Sequence, residues 1–195
     1  MLNDLQHYID GLDTGKIPVL RQQQLLQLAE LINVAEVKQL NFICTHNSRR
    51  SQFAQIWGQT MANYSNKDIA SYSGGIEVTE CNYRTIEALK SIGFNVEVQG
   101  NNNPVYNVKF SADHPGVILF SKLYLDKVNP HYYIAIMTCD HADQSCPIIP
   151  EATERFSLTY TDPKHFDDSI NESMEYLKTG RQIATEMKFL FTQLK

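Results

Sequence analysis

The stretch NFICTHNSRRSQFA, residues 41–54, decides the fold prediction. A short apolar run ends at Cys44, five residues separate Cys44 from Arg50, and Ser51 opens a predicted helix. In α/β sheets, ligands bind at the carboxyl ends of the strands, where the following helix points its N-terminus at them. A strand end, a short polar turn and a helix start therefore predict a binding site on an α/β sheet.

Strands and helices alternate through most of the chain. Strands are predicted at QLNFIC, DIASYSGG and YYIAIMTC, residues 39–44, 68–75 and 132–139. Helices are predicted from Arg50 to Tyr64, from Thr79 as N-cap to Gly93, and along the amphipathic C-terminal segment. This rhythm predicts an α/β fold: a small parallel sheet of about four strands with helices on both faces.

Two segments fall outside this rhythm. Residues 1–37 predict a helical extension, with one helix within residues 3–12 and another over residues 18–35, added to a main domain of residues 38–195. The extension is interpreted as a cap on the main domain, with a dimerisation or partner surface as the alternative. Residues 104–127 contain two β-rich runs around SADHPG and predict a hairpin or a long excursion, which would cover the site or replace a segment that rearranges.

Composition narrows the class of protein. The chain has 195 residues, of which 43% are hydrophobic and 20% charged, as in a globular domain. Its net charge of −5 argues against nucleic-acid binding. Neither an apolar stretch of roughly 20 residues nor a signal-peptide pattern occurs, so no membrane association and a cytoplasmic location are expected. The four cysteines are then expected to be free thiols.

The residues from Cys44 to Ser51 predict an oxyanion site. A thiol at a helix N-terminus is favoured as the thiolate. The loop amides of Thr45, His46, Asn47, Ser48 and Arg49 can curl around a tetrahedral ion, and Arg50 can grip two of its oxygens. Ser51 can donate to the thiolate, and Asn47 tolerates a left-handed backbone. The alternatives are a merely buried Cys44, or a zinc site with His46, for which a second Cys/His pair is missing; no metal is predicted.

A second pair of thiols follows at TCDHADQSCPIIP, residues 138–150. Cys139 ends the most hydrophobic strand and should lie near Cys44, and Cys146 follows after six residues. Two such thiols suggest a relay in which Cys139 attacks a Cys44 adduct and Cys146 then captures Cys139. The alternatives are two buried cysteines without a redox role, or a metal site with His141, whose three residues in one short loop would make a poor tetrahedral set.

These motifs resemble those of a known superfamily. CTHNSRRSQFA resembles the signature of low-molecular-weight protein tyrosine phosphatases, in which Cys, five residues and Arg precede Ser or Thr. It looks most like the arsenate reductases built on that fold, in which His-Asn or Gly-Asn follows the Cys and Gln follows the Ser. The Cys–six–Cys pair with its trailing Pro resembles the thioredoxin-coupled type, and Asp162-Pro163 matches the superfamily's general acid. The resemblance covers roughly residues 38–195.

The resemblance implies an arsenate reductase that works through a Cys44, Cys139 and Cys146 disulfide relay, with Asp162 as general acid and without a cofactor. Thioredoxin or a low-molecular-weight thiol would supply the electrons; His46 and Arg49 depart from the thioredoxin-coupled pattern and leave the donor open. Potassium, which some relatives bind, is not predicted here, because Gln55 stands where an acidic ligand is expected beside Asn47 and Ser73.

Two other functions stay open at this point. A tyrosine phosphatase would use the same Cys44, Arg50 and Asp162, although Lys164 and His165 stand where aromatic residues usually follow Asp-Pro. An oxyanion or redox sensor without turnover would not need a general acid, so Asp162 argues against it. Asp167 and Asp168 are competing carboxylates, interpreted as solvated or helix-capping residues. Cys81 is interpreted as a packing residue in the helix that follows Thr79.

Overall fold

The computed structural model describes residues 1–145 and 148–195, so Cys146 lies outside the described residues. Six α-helices occur in this part of the chain: α1 Asn3–Asp10, α2 Val19–Val34, α3 Arg50–Tyr64, α4 Tyr83–Ile92, α5 Asp140–Ser145 and α6 Glu172–Thr192. The strands are β1 Gln39–Cys44, β2 Ala70–Gly75, β3 Asn95–Gln99, β4 Val105–Lys109, β5 Val117–Leu119, β6 Tyr133–Met137 and β7 Ala152–Ser157. None of the described helices is long and apolar enough to span a bilayer.

The main sheet has the strand order β2-β1-β6-β7, and all of its pairs are parallel. Leu40 of β1 lies opposite Ile134 of β6, and Phe42 lies opposite Ile136. Parallel strands need helical crossovers, so both faces of such a sheet are normally covered. The prediction of a four-stranded parallel sheet is confirmed.

The two faces of this sheet bury different layers. Phe42 and Ile136 belong to the large core that includes α3 and α6, whereas Ile43 and Met137 belong to a smaller cluster with Ala142 of α5. Successive side chains of a strand point to opposite faces, which explains why neighbouring residues enter different layers. The carboxyl ends of β1 and β6 thus lie between the two layers.

Strands β3, β4 and β5 form a separate antiparallel sheet. The hairpin expected within residues 104–127 is the β4–β5 pair. β3 was not predicted: NVEVQ alternates Val96 and Val98 with polar residues, but the segment has only five residues and most of it is exposed. After β5 the chain returns to the end of β2, where Gly75 N–H donates to Lys122 O at 2.8 Å and Tyr124 N–H donates to Gly75 O at 3.0 Å.

The two predicted N-terminal helices are present and pack on the same core as the sheet. Leu5 and Ile9 of α1 and Leu25 and Leu28 of α2 have no exposed surface. Lys188 of α6 donates through Nζ to the carbonyl oxygens of Ile9 and Leu12, at 2.8 and 3.0 Å. The boundary between residues 1–37 and 38–195 stays a prediction.

The predicted start of α4 is wrong by several residues. Asn82, not Thr79, is the N-cap: its side chain accepts from Arg84 N–H at 2.9 Å, and the helix begins at Tyr83. Thr79 instead donates its hydroxyl to His46 O and its N–H to Ser121 Oγ. Both residue types cap helices well, so tertiary contacts decided between them. Cys81 consequently precedes the helix and is buried.

Candidate active site

The loop between β1 and α3 turns sharply at the carboxyl end of the sheet. Cys44 is the last residue of β1 and is 3% exposed. Asn47 has φ 46°, in the left-handed region that Asn tolerates better than most residues. Gly75 of β2 lies so close that a Cβ there would be 2.8 Å from Asn47 N and 2.9 Å from Thr45 O. The end of β2 therefore has to be glycine for this loop to fit.

The loop carbonyl groups are held from outside the loop. Thr45 O accepts from the N–H groups of Ile76 and Glu77, His46 O from Ser121 Oγ, Asn47 O from Gln52 Nε2 and Ser48 O from Asn82 N–H. In contrast, the N–H groups of residues 45–49 have no acceptor in the described part of the chain. Consecutive amides that are left without acceptors form a cradle suited to an anion.

A chain of hydrogen bonds leads from the thiol into the protein. Cys44 Sγ is 3.1 Å from Ser51 Oγ, and Asn47 Nδ2 donates to Ser51 Oγ at 2.8 Å and to Ser73 Oγ at 2.9 Å. Ser73 in turn donates to Gln55 Oε1 at 2.5 Å. Since Asn47 donates to Ser51 Oγ, the Ser51 hydroxyl hydrogen is available to Cys44, as a thiolate would require.

Asp162 lies across the loop from Cys44 and pairs with both arginines. Its Oδ1 accepts from Arg49 Nε at 2.8 Å, and its Oδ2 accepts from Arg50 NH2 at 2.7 Å. Arg50 also donates to Tyr160 O at 3.1 Å. The buried Nε of Arg50 has no acceptor among the described residues. Arg50 thus retains a donor that a bound anion would satisfy.

The charge of Asp162 is set by these contacts. Burial acts to raise the pKa of the Asp162 carboxyl, but the charge of Arg50 and the hydrogen bond and charge of Arg49 outweigh it and lower the pKa below its usual value. The resting site therefore holds an ionised Asp162 as counter-ion of the two guanidinium groups. An anion that enters would compete with Asp162 for Arg50.

The cleft in front of Cys44 is small. It is lined by Cys44, His46, Ser48, Arg49, Arg50 and Asp162, and these residues leave almost no free space in front of the thiol. Because Asp162 lies on the two arginines, an oxyanion can enter only if the Asp162 side chain gives way. The positive end of the α3 dipole also favours negative charge in this cleft.

The second predicted thiol, Cys139, is buried beside the loop. It belongs to the same apolar cluster as Cys44 and is 1% exposed. Its Sγ is 3.4 Å from Thr45 Oγ1 and accepts from Ala142 N–H at 3.4 Å. The predicted third thiol, Cys146, is among the residues that are not described.

The cleft in front of Cys44 is not lined by Asp167, Asp168 or Cys81, and the His46 side chain lies at its mouth. Asp167 and Asp168 pair with Arg84, at 3.8 and 2.6 Å, rather than with the loop. His46 Nε2 lies 3.3 Å from Glu77 at the mouth of the cleft. Burial raises the pKa of the Cys81 thiol to about 12, which makes it a poor nucleophile. Among the described residues, no group of three or more His, Cys, Asp or Glu could hold a metal ion.

The residues that support the loop from behind were not predicted from the sequence. Lys122 N–H donates to Asn47 Oδ1 at 3.1 Å, Ser121 donates to His46 O at 2.7 Å, and Gln52 Nε2 reaches both Asn47 O and Phe120 O. Residues 120–122 are far from the loop in sequence, so no spacing reveals them. The one available signal was the Gly74-Gly75 pair, whose lack of side chains indicates a close backbone approach.

Comparison with solved structures defines the class of protein. The low molecular weight protein tyrosine phosphatase from T. tengcongensis matches with a TM-score of 0.55 at 18% identity, over 81% of this chain and all of that one. A structure described as an arsenate reductase in oxidized state matches with a TM-score of 0.52 at 17% identity, over 82% of this chain and all of that one. The chain thus has the low-molecular-weight phosphatase fold, as predicted.

Comparison of sequences shows which proteins of this fold the chain resembles in sequence. No family model matches the chain. The protein named arsenate reductase 2 of Staphylococcus epidermidis is 28% identical over 150 residues, which are 73% of this chain and 97% of that protein. The predicted resemblance to the arsenate reductases of the low-molecular-weight phosphatase superfamily is confirmed.

Proposed function

We propose that the protein is an arsenate reductase in which Cys44, Cys139 and Cys146 act in succession. The observation that carries this proposal is the second buried thiol, Cys139, which lies within hydrogen-bonding distance of Thr45, the residue after the nucleophile. Hydrolysis of a phosphocysteine needs only a nucleophile, an anion cradle, an acid and water. A second thiol at this position is useful when the adduct on Cys44 is to be reduced.

In the first step the Cys44 thiolate attacks arsenate and one As–O bond breaks. The free amides of residues 45–49 and the unpaired Nε of Arg50 hold the remaining oxygens. The charge of the bound anion raises the pKa of Asp162, which takes up a proton and passes it to the departing oxygen, so that water leaves. Asp162 thus changes from counter-ion of Arg50 to general acid when the anion binds.

In the second step the Cys139 thiolate attacks the sulfur of Cys44. The S–S bond forms, the S–As bond breaks, and its electron pair stays on arsenic, which leaves as arsenite. Cys146 then attacks Cys139, which frees Cys44 and leaves a Cys139–Cys146 disulfide. An external dithiol of the thioredoxin class, or a low-molecular-weight thiol, reduces that disulfide; such donors belong to a reducing cytoplasm, so we also propose that location.

The coupled assay tests this proposal. With thioredoxin, thioredoxin reductase and arsenate, the protein is expected to oxidise NADPH in multiple turnovers, and parallel assays with glutaredoxin and mycothiol systems identify the donor. Cys146→Ser should stop multiple turnover, whereas the control Cys81→Ala should retain it, because Cys81 is buried in the other core layer.

Two outcomes would overturn the proposal. No arsenate-dependent turnover with any donor, together with rapid hydrolysis of an aryl phosphate that Cys146→Ser leaves intact, would make the protein a phosphatase that uses Cys44, Arg50 and Asp162. A Cys44 adduct that forms once and is never released would make it an oxyanion sensor.

A further inference from the structure

His141 contacts the loop through Thr45. Its Nδ1 is 3.3 Å from Thr45 Oγ1, and the same oxygen is 3.4 Å from Cys139 Sγ. The three groups therefore form a line of thiol, hydroxyl and imidazole. Cys139 is 1% exposed, whereas His141 is exposed to solvent. This line connects a buried thiol to an imidazole that can exchange protons with water.

The chemistry of the hydroxyl group allows two arrangements of this line. Thr45 has one hydroxyl hydrogen, so Oγ1 cannot donate to both neighbours at once. When Thr45 donates to His141 Nδ1, it accepts from the Cys139 thiol. When it donates to a Cys139 thiolate, it accepts from a protonated Nδ1. The two arrangements differ by one proton moved from sulfur to imidazole, and histidine is the side chain whose usual pKa suits that transfer near neutral pH.

The other groups around Cys139 determine whether anything besides Thr45 and His141 can change the ionisation of its thiol. Backbone N–H of Ala142 donates to Sγ at 3.4 Å and supports the thiolate. The titratable groups near Cys139 are Cys44, Tyr124 and Tyr133 in the same apolar cluster and Asp140 and Asp143 in α5, the helix that follows Cys139. Arg155 of β7 pairs with Asp143. Burial raises the pKa of Tyr133 to about 12, so its hydroxyl stays neutral, and Asp143 is paired with Arg155 at 2.5 Å.

We propose that His141 is a positioning residue for the second thiol. His141 accepts the proton of Cys139 through Thr45 and leaves Cys139 as a thiolate ready to attack Cys44. The proposal rests on the proposed function for its role in turnover. In the step itself, the S–H bond of Cys139 breaks, its proton passes to Thr45 Oγ1, and the original hydroxyl proton passes to His141 Nδ1. No other reactant is needed, and His141 later releases the proton to solvent or to the departing arsenite.

The first test needs no arsenate. In a Cys44→Ser/Cys146→Ser background, the remaining thiols are Cys139 and Cys81, and the pKa of Cys81, about 12, keeps that thiol protonated near neutral pH. Thiolate absorbance in the ultraviolet then follows Cys139 through a pH titration. We expect His141→Gln and Thr45→Val each to lower the thiolate fraction at neutral pH about tenfold, which is one pKa unit, and Thr45→Ser to restore it. His7→Gln, an exposed histidine on α1, is the control.

Titrations of His141→Gln and Thr45→Val that coincide with that of His7→Gln would overturn the inference, whatever the activity of the protein.

The second test follows single-turnover formation of the Cys44–Cys139 disulfide after arsenate is added to the protein with its native thiols. We expect His141→Gln to slow this step chiefly at low pH and little at high pH; equal slowing at every pH would contradict the inference. A shifted titration without any arsenate reduction would overturn the proposed function and leave the thiol–imidazole coupling standing.

Discussion

Two adjacent arginines meet one carboxylate at the site, and they differ in the donors they leave unbonded. Arg49 donates through Nε to Asp162, whereas Nε of Arg50 is buried without an acceptor among the described residues. The five-residue gap after Cys44 already selected Arg50 from the sequence. Its pairing with Asp162, more than a hundred positions away, could not be read from any spacing.

Arg50→Lys tests this difference. Lysine keeps the charge but loses the planar fork that holds two oxygens, so kcat/KM for the oxyanion substrate should fall about 100-fold. Arg49→Lys should cost about tenfold or less, since the described contacts of Arg49 serve Asp162. Steady-state kinetics of both variants measure the ratio, and a larger loss for Arg49→Lys would contradict the assignment.

Lys122 is a buried charge behind the loop. It is 3% exposed, its Nζ has no hydrogen-bond acceptor in the described part of the chain, and the same Nζ lies 4.7 Å from the centroid of the Phe120 ring. Burial lowers the pKa of this lysine to about 8. An apolar residue of similar length should therefore be more stable here at neutral pH.

Lys122→Met should raise the free energy of unfolding at pH 7 by about 2–3 kcal/mol. Between the folded pKa of about 8 and the unfolded value of 10.5, the unfolded wild-type chain binds more protons than the folded one. The wild type therefore gains stability as pH rises through that window, and the advantage of Lys122→Met shrinks. Urea unfolding at several pH values measures this, with the exposed Lys16→Met as control; a difference that does not change with pH would contradict it.

At the scale of elements, β1, the loop and α3 were predictable because each carries a local signal: an apolar run, small polar residues, and helical periodicity. The support of the loop by residues 120–124 was not, because it depends on a segment that returns after β5 to the end of β2. Gly74 marks that contact, since a Cβ there would lie 2.3 Å from Tyr124 Cα. Backbone cannot yield to such an overlap without displacing the whole segment.

Gly74→Ala should therefore lower the free energy of unfolding by about 2–4 kcal/mol and slow alkylation of Cys44, because Lys122 N–H would move away from Asn47. The control is Gly11→Ala, at a position with φ −75° where the nearest atoms to a Cβ are 3.5 Å away. Denaturant unfolding and the alkylation rate give the two readouts. Normal stability with normal Cys44 reactivity would show that this segment does not hold the loop.

For the molecule as a whole, the α/β class could be predicted from the alternation of strands and helices. The antiparallel sheet and the packing position of the N-terminal helices could not, because they depend on contacts between residues far apart in sequence. Tyr8 of α1 stacks on Trp57 of α3, with ring centroids 5.9 Å apart. Trp57 is the one tryptophan in the chain, so its fluorescence reports on the contact between these two helices. We expect residues 1–37 to unfold together with residues 38–195.

Ile9→Ala tests this cooperativity. Ile9 is completely buried, so the cavity should lower the free energy of unfolding by about 2–4 kcal/mol, with tryptophan fluorescence and circular dichroism changing together. Ile170→Ala, at a fully exposed position, should change it by less than about 0.5 kcal/mol. Two separate transitions, with the fluorescence change first, would mean that the extension unfolds independently.

A single turnover without external reductant tests whether Cys44, Cys139 and Cys146 reduce arsenate in sequence. Reduced protein mixed with arsenate should release one arsenite per chain and lose two thiols, and peptide mapping should locate the resulting disulfide between Cys139 and Cys146. Cys146→Ser should stop at a Cys44–Cys139 disulfide. Absence of arsenite with all thiols retained would contradict the three-cysteine relay.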